Sequence, residues 1–300
     1  MNCLSFNNFF QGAALDFLLR AIRTALEEDG VDLTSNAVFS AEHSSKVALV
    51  AKEDSLVAGL PAIPLIMTEA EKYASGRWSY AALVEEGVFV PVGTTLAHIA
   101  GPTRLLLKAE RIIINFTSQM SGVANLTARY VKALQGTNTR LLDTRKTLPG
   151  MRYPQKYAVL VGGGHNHRFS LEDMLMLKDN HIDAAGSIGK AVTMLRDAYK
   201  PCPPIEVECR NEQEVVEAVS AKVDRIMLDN MDAAGIGRSM AIIPEHIETE
   251  VSGGVNLENI AQLVKAASEQ AGFSRCPTFV SVGRLTHSAP VADFSICFIS

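Results

Sequence analysis

The second half of the chain alternates short strand-like segments with longer segments in which apolar residues recur at helical spacing. In the short segments apolar residues are adjacent or alternate with polar ones, which predicts strands at 205–209, 225–229, 247–251 and 279–283. Helices are predicted at 212–221, where Asn211 can cap the first turn, and at 257–270. Because strands that alternate with helices form parallel sheets, this half predicts an α/β barrel with too few units for a full eight.

The first hundred residues mix one helix with short extended segments, which Gly and Pro separate as turns. Residues 1–30 predict a surface helix rather than a signal peptide, because charged residues lie between the apolar positions. The segment 84–96 resembles the hammerhead half of lipoyl and biotinyl carriers but lacks the hairpin lysine that holds their cofactor, so we interpret it as structural. A long helix over 108–134, interrupted at Ser121 and Gly122, places the change of domain near its start.

The composition is that of a core-forming globular protein, with 47% hydrophobic and 20% charged residues. The net charge of −5 gives no basic field for nucleic acid, and no run approaches the roughly 18 apolar residues that span a bilayer. Five cysteines without CxxC spacing disfavour a disulfide framework and a zinc site. We therefore expect a reducing compartment and a cytoplasmic location.

Several predicted strands end in polar residues or glycine. These endings are 143–146, Glu208, Asp229, 252–254 and 283–284. The working residues of α/β barrels lie at the carboxyl ends of the strands, so these endings favour a shared pocket over unrelated strand ends. The glycine-containing endings at 252–254 and 283–284 suit a sugar phosphate, because glycine lets a phosphate approach the backbone amides.

The segment 140–178 is basic within an acidic chain, with seven Lys or Arg residues against three Asp or Glu residues. Such a cluster indicates an anion site, although a solvated basic loop has the same composition. We interpret Arg168 as a bidentate carboxylate clamp, with an ion pair to the acids at 172–173 as the alternative. His165 and His167 lack a third ligand at metal-binding spacing, which makes a zinc site a weak hypothesis.

Glu208 and Asp229 follow successive predicted strands and could act as a carboxylate pair. Such a pair can accept hydrogen bonds from ribose hydroxyls, hold Mg²⁺ through water, or stabilise an oxocarbenium-like centre. A salt bridge to the basic cluster is the structural alternative, and it is compatible with all three roles.

Long motifs around these residues carry a family resemblance. They are DTRKTLPG at 143–150, KYAVLVGGGHNHR at 156–168 and LKDNHI at 177–182, followed by IEVE, IMLDN, VSGG and GRLTHS. With 58–61 and 101–122 in the first half, they closely resemble quinolinate phosphoribosyltransferases over nearly the whole chain. The stretch 28–35 is shorter than the family's usual acidic-glycine loop, which affects only a surface turn.

The resemblance implies an N-terminal α/β sandwich with a hammerhead-like segment at 1–116 and an incomplete, TIM-like α/β barrel at 117–287. A C-terminal strand at 288–300 would return to the first domain. The implied reaction transfers the phosphoribosyl group of phosphoribosyl pyrophosphate to quinolinate with decarboxylation, giving nicotinate mononucleotide, pyrophosphate and CO₂ in NAD synthesis. The resemblance also implies Mg²⁺ with the pyrophosphate, and a homodimer in which Arg111 of one chain reaches the other's pocket.

The same resemblance assigns residue roles. The catalytic residues would be Lys146, Glu208 and Asp229, of which the two carboxylates contact the ribose. The quinolinate carboxylates and a neighbouring phosphate would be bound by Arg145, Lys146, His167, Arg168 and Lys178, with Arg111 and Thr144 in the same site. The 5′-phosphate would be held by Ser252, Gly253, Gly254, Gly283 and Arg284.

Two other functions stay open at the level of sequence. A related transferase acting on another base, such as the paralogue associated with molybdate transport, would keep most of these motifs, although the complete basic set favours a dicarboxylate. A non-catalytic phosphosugar-binding scaffold is disfavoured by Lys146, Glu208 and Asp229. The sequence assigns no direct metal ligand.

Overall fold

A computed structural model describes residues 5–269 and 276–299 of the chain. The helices are α1 (Phe6–Phe9), α2 (Ala13–Glu28), α3 (Leu33–Val38), α4 (Ile63–Ala70), α5 (Thr103–Ala133), α6 (Arg152–Val161), α7 (Asp179–Ala185), α8 (Ile188–Ala198), α9 (Glu212–Ser220), α10 (Ala233–Ile242), α11 (Ile260–Glu269) and α12 (Arg284–His287). The strands are β1 (Ser44–Ala51), β2 (Ser55–Leu56), β3 (Ser79–Ala82), β4 (Phe89–Val90), β5 (Thr95–Pro102), β6 (Arg140–Leu142), β7 (Leu175–Leu177), β8 (Ile205–Cys209), β9 (Arg225–Asp229), β10 (Glu248–Ser252), β11 (Phe279–Ser281) and β12 (Phe294–Ile299).

The chain divides into two compact units. The first unit comprises 1–128, 146–163 and 284–300, and the second comprises 129–145 and 164–283. These units follow packing, so the domain limits at 1–116, 117–287 and 288–300 stay a prediction. Within the ranges that the structure describes, no helix combines the length and apolar composition that a bilayer-crossing segment requires.

The first unit contains a four-stranded antiparallel sheet in the order β12-β1-β5-β3. The C-terminal strand β12 pairs with β1, with Lys46 opposite Ile299. Helix α2 forms because Leu18, Ile22 and Leu26 recur every fourth residue, and all three are buried. The helix predicted within residues 1–30 is thereby confirmed.

Helix α5 runs without a break, so the interruption predicted at Ser121 and Gly122 is wrong. The hydroxyl of Ser121 accepts the Ala58 N–H at 2.9 Å and donates to the Ala58 carbonyl at 3.1 Å. A Cβ atom at position 122 would lie 2.0 Å from the carbonyl oxygen of Pro290. These small residues let distant segments of the first unit approach the helix closely, and they do not end it.

Replacement of Gly122 by alanine is expected to lower the free energy of unfolding by about 3 kcal/mol, because the new methyl group meets backbone that cannot move aside cheaply. Urea denaturation measures this change. The matched control is Gly189→Ala in α8, where the nearest atom to the new Cβ would be 3.7 Å away. That control should leave the stability unchanged or raise it by up to about 1 kcal/mol. Equal stabilities of the two variants would contradict the packing explanation.

The second unit contains a six-stranded parallel sheet in the order β6-β11-β10-β9-β8-β7, with helices between the strands. The predicted strands at 205–209 and 225–229 are confirmed at those bounds, and Asn211 caps α9 by accepting the Glu214 N–H at 3.0 Å. Six strands fall short of the eight of a full barrel, which confirms an incomplete α/β barrel. Of the helix predicted at 257–270, α11 is observed, and residue 270 lies outside the described ranges.

Candidate active site

The carboxyl ends of the parallel strands carry most of the predicted site residues. In the second unit these are Thr144 and Arg145 after β6, Lys178 after β7, Glu208 in β8, Asp229 at the end of β9, Ser252 to Gly254 at and after β10, and Gly283 after β11. Ser252 lies opposite Asp229 in the register, and Glu208 lies opposite Met227. Because side chains alternate along a strand, Glu208, Asp229 and Ser252 share one face of the sheet.

The carboxylate of Glu208 forms an ion pair with Lys178. The Lys178 ammonium nitrogen lies 2.7 Å from Oε2 of Glu208, and the lysine side chain is 47% exposed while the glutamate side chain is 14% exposed. Asp229 accepts a hydrogen bond from the Asn230 side-chain amide at 2.7 Å. The salt-bridge alternative thus holds for Glu208, and both carboxylates keep further lone pairs for hydroxyl donors.

The guanidinium groups of Arg145 and Arg168 lie close enough, near these strand ends, for their charges to interact. Burial lowers the pKa of Arg168, and the like charge of Arg145 lowers it further. The Nε atom of Arg145 is buried and has no hydrogen-bond partner within the part of the chain that the structure describes. A buried cationic donor without a partner is costly, and an anion bound beside both arginines would remove that cost.

The contacts of Arg168 differ from those of a surface ion pair. Its guanidinium donates to the Met174 carbonyl at 3.0 Å and contacts the Met176 sulfur at 3.4 Å. The Asp173 carboxylate accepts hydrogen bonds from the N–H groups of Phe169 and Ser170. These contacts orient the guanidinium through neutral groups, while the charge of Asp173 acts on Arg168 by raising its pKa.

The segments at the ends of β9 and β10 are hydrogen-bonded to each other. The Asn230 N–H donates to the Ser252 carbonyl at 3.0 Å, and Asn230 has a left-handed φ of 53°. At Gly253, φ is 86°, and a Cβ atom would lie 2.3 Å from the Asn230 side-chain oxygen, so glycine is required there. At Gly254, φ is 62°, and a Cβ atom would meet nothing within 4 Å. The backbone at Gly254 is therefore open to a ligand such as a phosphate.

The His167 side chain lies beside two buried glutamates. Its imidazole is buried, with Nε2 at 3.2 Å from Glu206 Oε2 and 3.4 Å from Glu250 Oε2. Its backbone N–H donates to Asp143 Oδ1 at 2.9 Å, and the other oxygen of Asp143 accepts the Asn166 amide at 2.6 Å. The contact of His167 with quinolinate stays a prediction, and the structure places the imidazole beside two glutamates.

Sequence reasoning did not predict that Glu206 and Glu250 lie beside His167. Each precedes a recognised strand-end residue, Glu208 or Ser252, by two positions and so lies on the same face of the sheet. The signal was present, since a glutamate at a buried position of an apolar strand is unusual unless it is paired.

The buried cluster brings three possible ligand atoms within 4.8 Å of one another. It is unsuited to Mg²⁺, which prefers oxygen ligands and retains several waters, because the site is buried and includes an imidazole. Nη1 of Arg225 lies 3.8 Å from both Glu206 and Glu250 and already supplies positive charge.

The other predicted site residues lie in the first unit. Lys146 is exposed, and its carbonyl accepts the Thr286 hydroxyl at 2.7 Å. Arg284 begins α12, and Arg111 lies on α5, with both side chains exposed. The backbone of Lys146 is thus held by the short helix that Arg284 begins.

Two family models match consecutive parts of the chain. The model of the quinolinate phosphoribosyl transferase N-terminal domain matches residues 32–121, and that of the C-terminal domain matches residues 123–297. The chain belongs to the quinolinate phosphoribosyltransferase family. The family resemblance inferred from the motifs is thereby confirmed.

Relatives of the family support this assignment over most of their length. The chain is 36% identical over 272 residues to a probable nicotinate-nucleotide pyrophosphorylase [carboxylating] of Bacillus subtilis, which covers 90% of this chain and 89% of the relative. It is also 36% identical to quinolinate phosphoribosyltransferase [decarboxylating] 1 of Nicotiana glauca, over 92% of this chain and 80% of the relative.

Solved structures of the family have the same fold. The NadC structure from Streptococcus pyogenes is 36% identical and superposes with a TM-score of 0.83, over 95% of this chain and 96% of that one. The nicotinate-nucleotide pyrophosphorylase structure from Ehrlichia chaffeensis is 29% identical, with a TM-score of 0.84 over all of both chains.

Proposed function

We propose that this protein transfers the phosphoribosyl group of phosphoribosyl pyrophosphate to quinolinate and releases pyrophosphate and CO₂, giving nicotinate mononucleotide for NAD synthesis. Membership of the family supports the activity, as do the names of relatives that match over 80% or more of their length. The observation in the site that carries the proposal is that the positive charges of Arg145 and Arg168 act on each other. Their mutual repulsion and the unpartnered Nε of Arg145 call for a ligand with at least two negative charges.

Quinolinate carries two adjacent carboxylates on a planar ring, which suits this pair of arginines. Guanidinium groups bind carboxylates through parallel N–H donors in one plane, as a lysine cannot. Arg145 and Arg168 would therefore bind the carboxylates of quinolinate, and Lys178 would add charge from β7. By family resemblance we also propose His167 for the quinolinate-binding site, with its imidazole beside the two glutamates.

The sugar phosphate would bind across the neighbouring strand ends. Glu208 and Asp229 present carboxylates to the ribose hydroxyls, and the open backbone at Ser252 to Gly254 would receive the 5′-phosphate. We extend the phosphate site to Gly283, which follows β11, and to Arg284 by family resemblance.

In the proposed reaction the pyridine nitrogen attacks C1 of the ribose while the C1–oxygen bond to pyrophosphate breaks. Positive charge develops at C1 in this step, and the carboxylates of Glu208 and Asp229 stabilise it electrostatically. The nitrogen of the product is quaternary, so the electron pair left at C2 when CO₂ departs is stabilised as an ylide and then takes a proton. The protein mainly positions the reactants and screens their charges.

Three further assignments belong to the proposal. Lys146 acts as a catalytic cation on the anionic substrates, and Arg111 enters the partner's site in a homodimer, with Thr144 lying beside Arg145. Both charged side chains are exposed in the first unit. A cytoplasmic location also stays a proposal, since relatives include one named chloroplastic in Arabidopsis thaliana.

We propose that Mg²⁺ enters with the pyrophosphate of the substrate, whose oxygens are its natural ligands. The buried cluster of His167, Glu206 and Glu250 does not fit this ion, for the reasons of burial and ligand type given above. The ion would neutralise charge on the leaving pyrophosphate when bound.

Incubation of the purified protein with phosphoribosyl pyrophosphate, Mg²⁺ and quinolinate should give nicotinate mononucleotide and an equal amount of CO₂. Nicotinate should be a poor substitute, because it lacks the C2 carboxylate that the arginine pair would bind. Liquid chromatography of the nucleotide and trapping of ¹⁴CO₂ from labelled quinolinate measure both products. Comparable turnover of nicotinate would favour a transferase for another base, and binding without turnover would favour the scaffold function.

A further inference from the structure

A buried group of ionisable side chains lies directly beneath the proposed substrate site. His167 is 7% exposed, and Glu206 and Glu250 are fully buried. Glu206 precedes Glu208 by two residues in β8, and Glu250 precedes Ser252 by two residues in β10. The cluster therefore occupies the next layer of the same sheet face that carries the proposed ribose and phosphate contacts.

The position of the cluster's proton follows from one backbone hydrogen bond. Ionised glutamates would raise the pKa of His167 to about 9 against the effect of burial. Burial and the charge of Glu250 also raise the pKa of Glu206. The Arg168 N–H donates to His167 Nδ1 at 2.7 Å, and a ring protonated at Nδ1 could not accept it. This hydrogen bond places the ring proton on Nε2, the atom that lies 3.2 Å from Glu206 and 3.4 Å from Glu250.

This tautomer links the glutamates to Arg168. Nε2–H faces Glu206 and Glu250, and the opposite ring nitrogen holds the backbone N–H of Arg168. The preceding N–H, that of His167 itself, is held by Asp143. Both peptide N–H groups around His167 are thus fixed by buried acceptors immediately before the arginine side chain that would bind the substrate.

We propose that Glu206 and Glu250 are positioning residues for the substrate's carboxylates, acting through His167 to fix the backbone and guanidinium of Arg168. The proposal rests on the carboxylate-binding role proposed above for Arg168. Buried ionisable groups are commonly no more stabilising than apolar residues of the same volume. The cluster is therefore better explained by the geometry that it imposes on Arg168 than by a contribution to stability.

Glu206→Met keeps the volume of the side chain and removes one of the two carboxylates that face Nε2–H. We expect it to raise the KM for quinolinate about tenfold while the KM for phosphoribosyl pyrophosphate stays within about twofold, as expected for a misplaced binding group. Glu206→Gln should recover most of the lost quinolinate affinity, because its amide oxygen can accept the same proton. Equal effects of Met and Gln, or equal effects on both substrates, would overturn the positioning role.

Glu248→Met is the matched control. Glu248 lies 2.6 Å from Arg225, which also lies 3.8 Å from Glu206 and Glu250. Among the described residues, the carboxylates beside His167 Nε2 are those of Glu206 and Glu250. Replacement of Glu248 removes a glutamate from the same arginine and should leave the KM for quinolinate unchanged. A rise equal to that of Glu206→Met would assign both effects to Arg225 and overturn the proposal.

A double-mutant cycle separates this inference from the function on which it rests. If Glu206 acts through Arg168, Glu206→Met should add no further rise in the quinolinate KM to that of Arg168→Lys, whereas independent effects would multiply. Multiplied effects would overturn the positioning role alone. An unchanged quinolinate KM in Arg168→Lys by itself would overturn the role of Arg168 and the inference with it.

Nitrogen-15 NMR of histidine-labelled, otherwise unaltered protein tests the linkage independently of the Glu206 variants. At neutral pH, His167 should show an unprotonated Nδ1 and a protonated Nε2, assigned by the loss of its signals in His167→Gln. A protonated Nδ1 would overturn the proposed link to Arg168.

Discussion

Glu208→Gln and Asp229→Asn should each lower kcat about a hundredfold, a loss of roughly 2.7 kcal/mol of transition-state stabilisation. The amides keep the size of the side chains and part of their hydrogen bonding, but they remove negative charge from the place where C1 of the ribose becomes positive. Glu208→Gln also weakens the contact that holds the Lys178 ammonium at 2.7 Å. Steady-state kinetics with both substrates varied measures the effect.

The control for these variants is Glu212→Gln, which removes an exposed glutamate paired with Arg238 at 2.7 Å, at the start of the helix after β8. Its kcat should be unchanged, because a surface ion pair contributes at most about 1 kcal/mol to stability. If Glu208→Gln and Asp229→Asn raised the KM for phosphoribosyl pyrophosphate and left kcat unaltered, both carboxylates would be ground-state ribose contacts only.

Mixing two inactive variants should restore activity if the homodimer shares its sites. Arg111→Ala and Lys146→Ala are each expected to be inactive as homodimers, because every site then lacks one of the two cations. In a heterodimer, one of the two sites has both cations intact. Since random pairing makes half of the dimers heterodimers, a mixture refolded at equal amounts should regain about one quarter of the wild-type activity.

Native mass spectrometry of the refolded mixture shows whether heterodimers have formed, and each variant refolded alone is the control for recovery during refolding. Heterodimers without activity would place Arg111 in the site of its own chain or outside the site. If the protein were active as a monomer, the hypothesis of a site shared between two subunits would be wrong.

The parallel sheet was predictable because its strands are defined locally. The run 205–209 alternates apolar residues with glutamates, and 225–229 has an apolar centre, so both have local strand patterns. The bounds observed for β8 and β9 are the predicted ones. The continuity of α5 was not predictable in this way. What makes Gly122 necessary is the carbonyl of Pro290, more than a hundred and fifty residues farther along the chain, and local sequence carries no trace of that contact.

The site residues also differ in whether local sequence or distant contacts determine their place. Strand-end residues such as Glu208 and Asp229 could be named from the alternation of apolar and polar positions together with the family motifs. The partners of His167 could not, because Glu206 and Glu250 come from two strands separated by β9 in the sheet. Sequence patterns indicate which side chains carry charge, and only the fold determines which charges are buried together.

The pairing of Lys46 with Ile299 has a consequence for synthesis of the protein on the ribosome. Strand β1 emerges early, but its neighbour β12 is translated only after the whole second unit. Through that interval one side of β1 presents unpaired N–H and C=O groups, a template for association with other nascent chains. Demand for holding chaperones should therefore be greatest while the parallel sheet is being translated, and it should end when β12 closes the edge.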